Sequence, residues 1–323
     1  MSTIKVTNIK HASTANGGIQ LDSAGHVTVD GQQMPTAGAL SNRNLIINGA
    51  MNVAQRGATS TGVTTTGFYG PDRYRFITAA GTYTITRSTD NPVGFSRSWK
   101  VEVTTAASLT GLTPLLIQQR IEAQDLQHLN FGTANAVNLT LSFWVKSSKT
   151  GTVTVEPFRA DTSERHICRE VTINAANTWE HKTVSIPGDT VNLIDDDNGP
   201  GMDISWWLDA GADFKSGTLN TSGWAAKVNG NRVSSSNIAL ADTLGANFYL
   251  TGVQLEVGEK ATPFEHRSYG DELARSMRYF QKQVYPLVIC GMSASDQINK
   301  SNWFNYAVPM RAQPTTLTIR DNN

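Results

Sequence analysis

The chain has 323 residues, and its 27 Lys+Arg balance 27 Asp+Glu, so the formal net charge is zero. The basic excess that a nucleic-acid partner requires is missing, and no stretch approaches the roughly 18 apolar residues of a membrane span. Charged residues make up only 17 %, and Thr, Val, Gly and Asn, which favour strands and turns, are abundant, so the expected class is all-β.

In residues 1–40 the apolar positions Val6, Ile9, Ile19, Leu21, Val27 and Val29 are thinly spread. Asn16-Gly17-Gly18, Ser23-Ala24-Gly25 and Asp30-Gly31 are turn signals. About three short strands with tight turns are expected, with too few apolar side chains for an independent core. Such a segment needs partner chains, which predicts a homo-oligomer, most simply a trimer, or docking onto a larger body. The start Met1-Ser2-Thr3-Ile4-Lys5 lacks a signal-peptide pattern, so assembly in a cytosol is expected. Residues 33–43 read as a linker, and the sandwich is placed at residues 41–267.

Alternating runs follow. Arg73-Tyr74-Arg75-Phe76, Tyr83-Thr84-Ile85-Thr86, Lys100-Val101-Glu102-Val103 and Leu139 to Lys146 are the clearest. Val153 and Val155, Val171 and Ile173, and Val184 and Ile186 continue the pattern. Short alternating strands between Gly, Pro and Asn clusters indicate a sandwich or jelly roll. Leu116 to Leu129 has few turn residues and predicts a short helix. Tyr269 to Gln283 predicts a better one. There Tyr269, Leu273, Met277 and Phe280 share a face, and Ser268 with Asp271 resembles a capping box. Residues 268–323 are expected to hold this helix and short strands around Phe304 to Val308 and Thr315 to Ile319. Cys168 and Cys290, the two cysteines, do not make a disulfide framework and read as free thiols.

Two stretches resemble a family of bacteriophage tail-fibre and virion structural proteins. The first is Asn44-Leu45-Ile46-Ile47-Asn48-Gly49-Ala50-Met51-Asn52-Val53-Ala54-Gln55-Arg56-Gly57, followed by Pro71-Asp72-Arg73-Tyr74. The second runs from Phe248 to Gly258 and on through Ala261 to Ser268. The helix Glu272 to Lys282 and Val308-Pro309-Met310-Arg311-Ala312 extend the similarity, which covers roughly residues 44 to 315. The resemblance implies a jelly-roll sandwich similar to carbohydrate-binding modules, with Asn44 to Val53 pairing near Phe248 to Val257. It also implies a virion-anchoring N-terminus. Family members often continue past the Met310-Arg311 motif, so the terminal β-region is expected to be short or completed by another subunit. Modules of this kind sometimes hold a structural calcium, and Asn48, Asn52 and Glu256 lie near the implied place, although no ligand set is legible.

Asp195-Asp196-Asp197-Asn198-Gly199-Pro200-Gly201 fails as a calcium loop in either register, because Pro200 takes the glycine or a ligand position. A solvated turn is expected. The six histidines show no H-E-x-x-H spacing, and G-x-S-x-G is missing. No carboxylate pair is recognisable as the two groups, roughly 5–10 Å apart, of a glycosidase. The chain is therefore expected to be non-enzymatic, without a cofactor.

Aromatics are the candidate site. Strand parity in Met202 to Asp209 puts Met202, Ile204, Trp206 and Leu208 on one face, with Asp203, Ser205, Trp207 and Asp209 on the other. In Leu139 to Lys146, Trp144 falls among Thr140, Ser142 and Lys146. Flat rings beside polar groups suit sugar C–H faces and hydroxyls. Trp144, Trp207, Asp209 and, in a loop-like stretch, Trp224 are the glycan-contact or interface candidates, burial under a loop being the plain alternative. The expected function is a virion appendage subunit that attaches by its N-terminus to tail or head proteins and meets host-surface polysaccharide. The rivals are a head-attached fibre or decoration protein, a polysaccharide-degrading tailspike, and a cellular carbohydrate-binding protein left by an integrated phage.

Overall fold

The computed structural model describes residues 8–9, 18–23, 26–29, 32–34, 41–161, 163–282 and 306–314. Strands β1 (Asn8–Ile9), β2 (Ile19–Leu21), β3 (Val27–Val29) and β4 (Gln32–Gln33) form a small sheet in that order. Next come β5 (Thr59–Val63), β6 (Gly67–Phe68), β7 (Tyr74–Thr78), β8 (Thr82–Ser88), β9 (Ser98–Thr105) and β10 (Pro114–Glu122). They are followed by β11 (Leu139–Ser147), β12 (Gly151–Arg159), β13 (Arg165–His166) and β14 (Arg169–Ile173). The last four are β15 (Glu180–Ile186), β16 (Pro200–Ala210), β17 (Ala225–Ala226) and β18 (Asn247–Val257).

The chain crosses repeatedly between two antiparallel sheets. One has six strands in the order β15-β11-β18-β9-β8-β5. The other has eight, in the order β17-β13-β12-β16-β10-β7-β6 with β14 on β12. This two-sheet alternation is a jelly-roll β-sandwich, and the protein is all-β. Alternation along each strand supplies the core. Leu139, Leu141, Phe143 and Val145 of β11 face Met202, Ile204, Trp206 and Leu208 of β16, all of them buried. The Phe143 and Trp206 rings meet edge to face at 5.7 Å between the sheets.

Leu116 to Leu129 is not one helix. Its first half belongs to β10, and only Ala123–Leu129 coils, as a 3-10 segment. Helix α1 (Tyr269–Met277) is capped as expected, the Ser268 side chain accepting from the Asp271 N–H at 3.1 Å. It is shorter than predicted, and it buries Glu272 and Ser276 while leaving Tyr269 57 % exposed. A polar bond sets that orientation: the Asn48 N–H donates to the Glu272 carboxylate at 2.6 Å. Residues 306–308 form no strand, and Thr315 to Ile319 and Cys290 lie outside the described residues. Among the described residues no helix is long and apolar enough to cross a membrane.

The two stretches that carry the family resemblance meet in space. Asn44 to Val53 is coil rather than strand, with Asn48 and Met51 at positive φ. It still lies along β18, because the Leu45 N–H bonds Leu255 O at 2.8 Å and the Val253 N–H bonds Gly49 O at 3.0 Å. A Cβ on Gly49 would stand 2.1 Å from Val253 O, so only glycine permits this approach.

Candidate functional site

The outer face of the six-stranded sheet carries an aromatic platform. Since Phe143 and Val145 point into the core, Trp144 and Lys146 point out. Trp144 lies opposite His181 of β15 and Thr251 of β18, and Lys146 lies opposite Tyr249. Lys100 of β9 flanks Tyr249 on its other side.

A bulge makes this alignment fit. Phe248 and Leu250 point inward, and so do Val253 and Leu255, so side-chain parity reverses at Gly252. The register shifts there, and Gly252 has φ +60°. A Cβ at that position would lie 2.7 Å from Phe95 Cζ and 2.9 Å from Trp144 Cδ1. The missing side chain is the room in which those two rings sit.

Trp179 enters from the turn before β15. Its indole Nε1 donates to Asp90 Oδ1 at 3.0 Å, and its ring meets Tyr249 edge to face at 5.9 Å. The Lys146 ammonium pairs with Asp90 and lies 4.5 Å from the Tyr249 ring and 5.4 Å from the Trp179 ring. Trp144 and His181 are 5.2 Å apart at a tilt. His181 and Asp90 are exposed, Trp144 and Trp179 are half-buried, and Tyr249 is mostly covered. Burial works against ionisation of Asp90, but the bonds from Lys146 and Trp179 outweigh it and hold the carboxyl below its usual range. Burial pushes the His181 imidazole down, which favours its neutral form. The face thus offers ring surfaces for C–H stacking beside carboxylate, ammonium and imidazole groups for hydroxyls. Of the sequence-derived candidates it contains Trp144 alone. Trp179, Tyr249, His181, Lys146 and Asp90 were not singled out by the sequence pattern.

The other candidates sit elsewhere. Trp207 does project from the outer side of the eight-stranded sheet, as parity requires, yet it is only 1 % exposed. Phe214 and Val233 of the loops after β16 pack over it with Leu116 and Ala210. Its Nε1 donates to the buried Glu156 carboxylate at 2.8 Å, which Arg232 grips with two bonds of 2.7 and 2.8 Å. A ring so covered has no face for a sugar. Asp209 is buried as well, and its carboxylate accepts from the Ala210 and Ala241 N–H groups. Trp224 is half-buried and turns its Nε1 inward to Pro187 O at 2.7 Å, with its ring 5.9 Å from Phe131.

The residues weighed for calcium are each engaged with protein. Asn48 clamps Val53 and the Asp72 carbonyl, Asn52 accepts from Ser96, and Glu256 accepts from Thr262 and Gln254. Asp195, Asp196 and Asp197 are exposed in a turn, and Asn198 reaches across it to Arg311 O. Glu156, His166 and the buried free thiol Cys168 bring ligand-type atoms within 4.8 Å of one another. That set does not suit a metal. Arg232, Trp207 and His166 hold the carboxylate, and burial pushes the thiol pKa far up, so it stays protonated.

The sequence matches no protein-family model, and no curated protein matches it. Solved structures similar to it include the enzymatically active domain of tailspike protein 4 from bacteriophage CBA120, at 13 % identity and TM-score 0.35. That match covers 67 % of this chain but only 21 % of the tailspike chain. A putative sugar binding protein from Bacteroides thetaiotaomicron VPI-5482 is 13 % identical over 67 % of this chain and 100 % of its own, with TM-score 0.38. A family 30 carbohydrate binding module is 14 % identical over 64 % of this chain and 86 % of its own, with TM-score 0.31. The sandwich assignment itself rests on the strand order of this chain.

Proposed function

We propose that the chain is a non-enzymatic structural and adhesive subunit of a bacteriophage virion appendage, of the tail-fibre type. Residues 1–40 attach it to other tail or head proteins and assemble it as a homotrimer. The sandwich presents the platform around Trp144, Trp179 and Tyr249 to host-surface polysaccharide. The observation that carries the adhesive half is that open face: rings set among polar groups on a rigid sheet, with their orientation fixed by Asp90 and Lys146. The anchoring half rests on the small N-terminal sheet, whose Ile9 and Ile19 stand 60 % and 42 % exposed in a single chain. In the proposed trimer these side chains are covered by a neighbouring chain.

A glycan array with the full chain tests the adhesive half, and a digestion assay on each bound polysaccharide separates a binder from a depolymerase. Binding without loss of polymer length is expected. Shortening of the polymer, or no binding on a broad array of bacterial polysaccharides, overturns the reading. Light scattering should give three times the 35.0 kDa chain mass, and a monomer contradicts the trimer.

A further inference from the structure

A polar cleft lies beside the seam where the resemblance stretches meet, and none of the platform residues lines it. It encloses about 230 Å³, and Asn42, Arg73, Glu122, Asp125, His128 and Arg275 are among its walls, with Tyr279. Pockets for drug-sized ligands begin near roughly 300 Å³, so this one suits a single small ring.

Its charges are unevenly matched. Arg120, which also lines it, is held by Asp203 with two bonds of 2.6 and 2.7 Å. Glu122 is held by Arg278 at 2.9 and 2.8 Å. Arg275 donates only to the Asn42 amide oxygen, at 3.0 Å, and makes no ion pair among the described residues. Arg73 is more unusual. It is buried, its Nη2 donates to the Arg120 carbonyl, its Nε is buried without a hydrogen-bond partner, and no carboxylate pairs with it among the described residues. The Tyr279 ring lies 3.3 Å from its Cζ and fixes the guanidinium plane. Its backbone φ is +77°, which side chains other than glycine rarely adopt. Glu122 acts on it only from beyond ion-pair distance, and strain together with a buried cation that has no direct ion pair points to a ligand-holding role.

The opposite wall is acceptor-rich. Burial, and then Glu122, push the Asp125 carboxyl upward against the pull of Arg278, Arg275 and Arg73, and burial pushes His128 downward against the pull of Asp125. The Glu122 carboxylate on the same wall repels a dianion such as phosphate, while the Asp125 carboxyl and Asn42 amide oxygens accept from ring hydroxyls.

We propose that this cleft binds a carboxylate-bearing sugar residue, a uronic acid or a similar acidic saccharide unit, with its carboxylate against Arg73 and Arg275 and its hydroxyls on Asp125, His128 and Asn42. The site shares with the preceding reading only the class of ligand and stands on different residues. Planar guanidinium groups recognise a carboxylate through paired bonds, which a lysine does not reproduce.

The test is calorimetric titration of the full chain with D-glucuronate and D-galacturonate, with D-glucose, D-galactose and inorganic phosphate as comparators. Saturable binding of a uronate, at least tenfold tighter than the matching neutral sugar and than phosphate, is expected. Arg275→Ala, on an exposed side chain, should weaken it tenfold or more at an unchanged melting temperature. Arg73→Lys keeps the charge and should weaken uronate binding tenfold or more in protein that a melting curve shows to be folded. Trp144→Ala should leave uronate binding intact, so failure of the platform and failure of the cleft are read separately. Absence of saturable uronate binding, equal binding of the neutral sugar, tighter binding of phosphate, or full retention in Arg275→Ala overturns the proposal.

Discussion

The Trp179 indole donates to Asp90 Oδ1 at 3.0 Å, and this one bond joins the β14–β15 turn to the β8–β9 turn beside Tyr249. It converts a tryptophan in a turn into a fixed wall of the platform. Because the acceptor is a carboxylate that also pairs with Lys146, the wall depends on ionisation.

The Asp90 carboxyl is depressed in the folded chain. A depressed value means that ionisation stabilises the fold above the unfolded pKa of about 3.9, and that this is lost as pH falls through the lower folded value. The environment of Trp179 should therefore hold from neutral pH down to about pH 4 and change below it. The difference in tryptophan emission between wild type and Asp90→Asn reads this directly. In Asp90→Asn the acid step should disappear, and an identical step in both proteins contradicts the assignment.

Gly252 combines φ +60° with ring atoms of Phe95 and Trp144 where its Cβ would be. Gly252→Ala should cost about 1–3 kcal/mol from the backbone conformation alone, with Trp144 displaced as well. Denaturant unfolding measures the loss. A variant that unfolds with the wild-type midpoint shows that the bulge is not tightly packed.

Trp207 is a core residue of the covered face. Trp207→Ala should cost about 3–5 kcal/mol, and it also removes a donor from the buried Glu156. Arg232→Ala leaves that carboxylate without its cation and should cost roughly as much. Thermal melts test both, and a melting temperature unchanged in either variant rules out the burial described for the pair.

Strand parity was legible on β11 and β16, where every second residue from Leu139 and Met202 reaches the core. Parity names a side of a sheet, however, and does not say whether chain covers that side. Trp144 and Trp207 read alike in sequence, yet Phe214 and Val233 fold back over Trp207 alone. β10 was misread for a related reason. Leu115, Ile117 and Ile121 face the core while Leu116 meets the covered outer cluster, and Gln119 takes a core-side position, so the period of two is broken on both faces. Tyr249 was hidden because the Gly252 bulge reverses parity along β18. A glycine inside a strand run was the available signal. Trp179 sits in a turn, where no periodicity marks it. The buried face of α1 went unseen because a carboxylate, Glu272, anchors it rather than its leucine.

The glycan site proposed for the outer face of β11, β15 and β18 stands or falls on titration of a polysaccharide that scores on the array into wild type, Trp144→Ala and Trp179→Ala, with a melting curve for each. Because both rings are half-buried on the surface, the two variants should stay folded, with melting temperatures close to wild type. Each should bind at least about tenfold more weakly, a change of roughly 1.4 kcal/mol. Wild-type affinity in both folded variants contradicts a glycan site on this face.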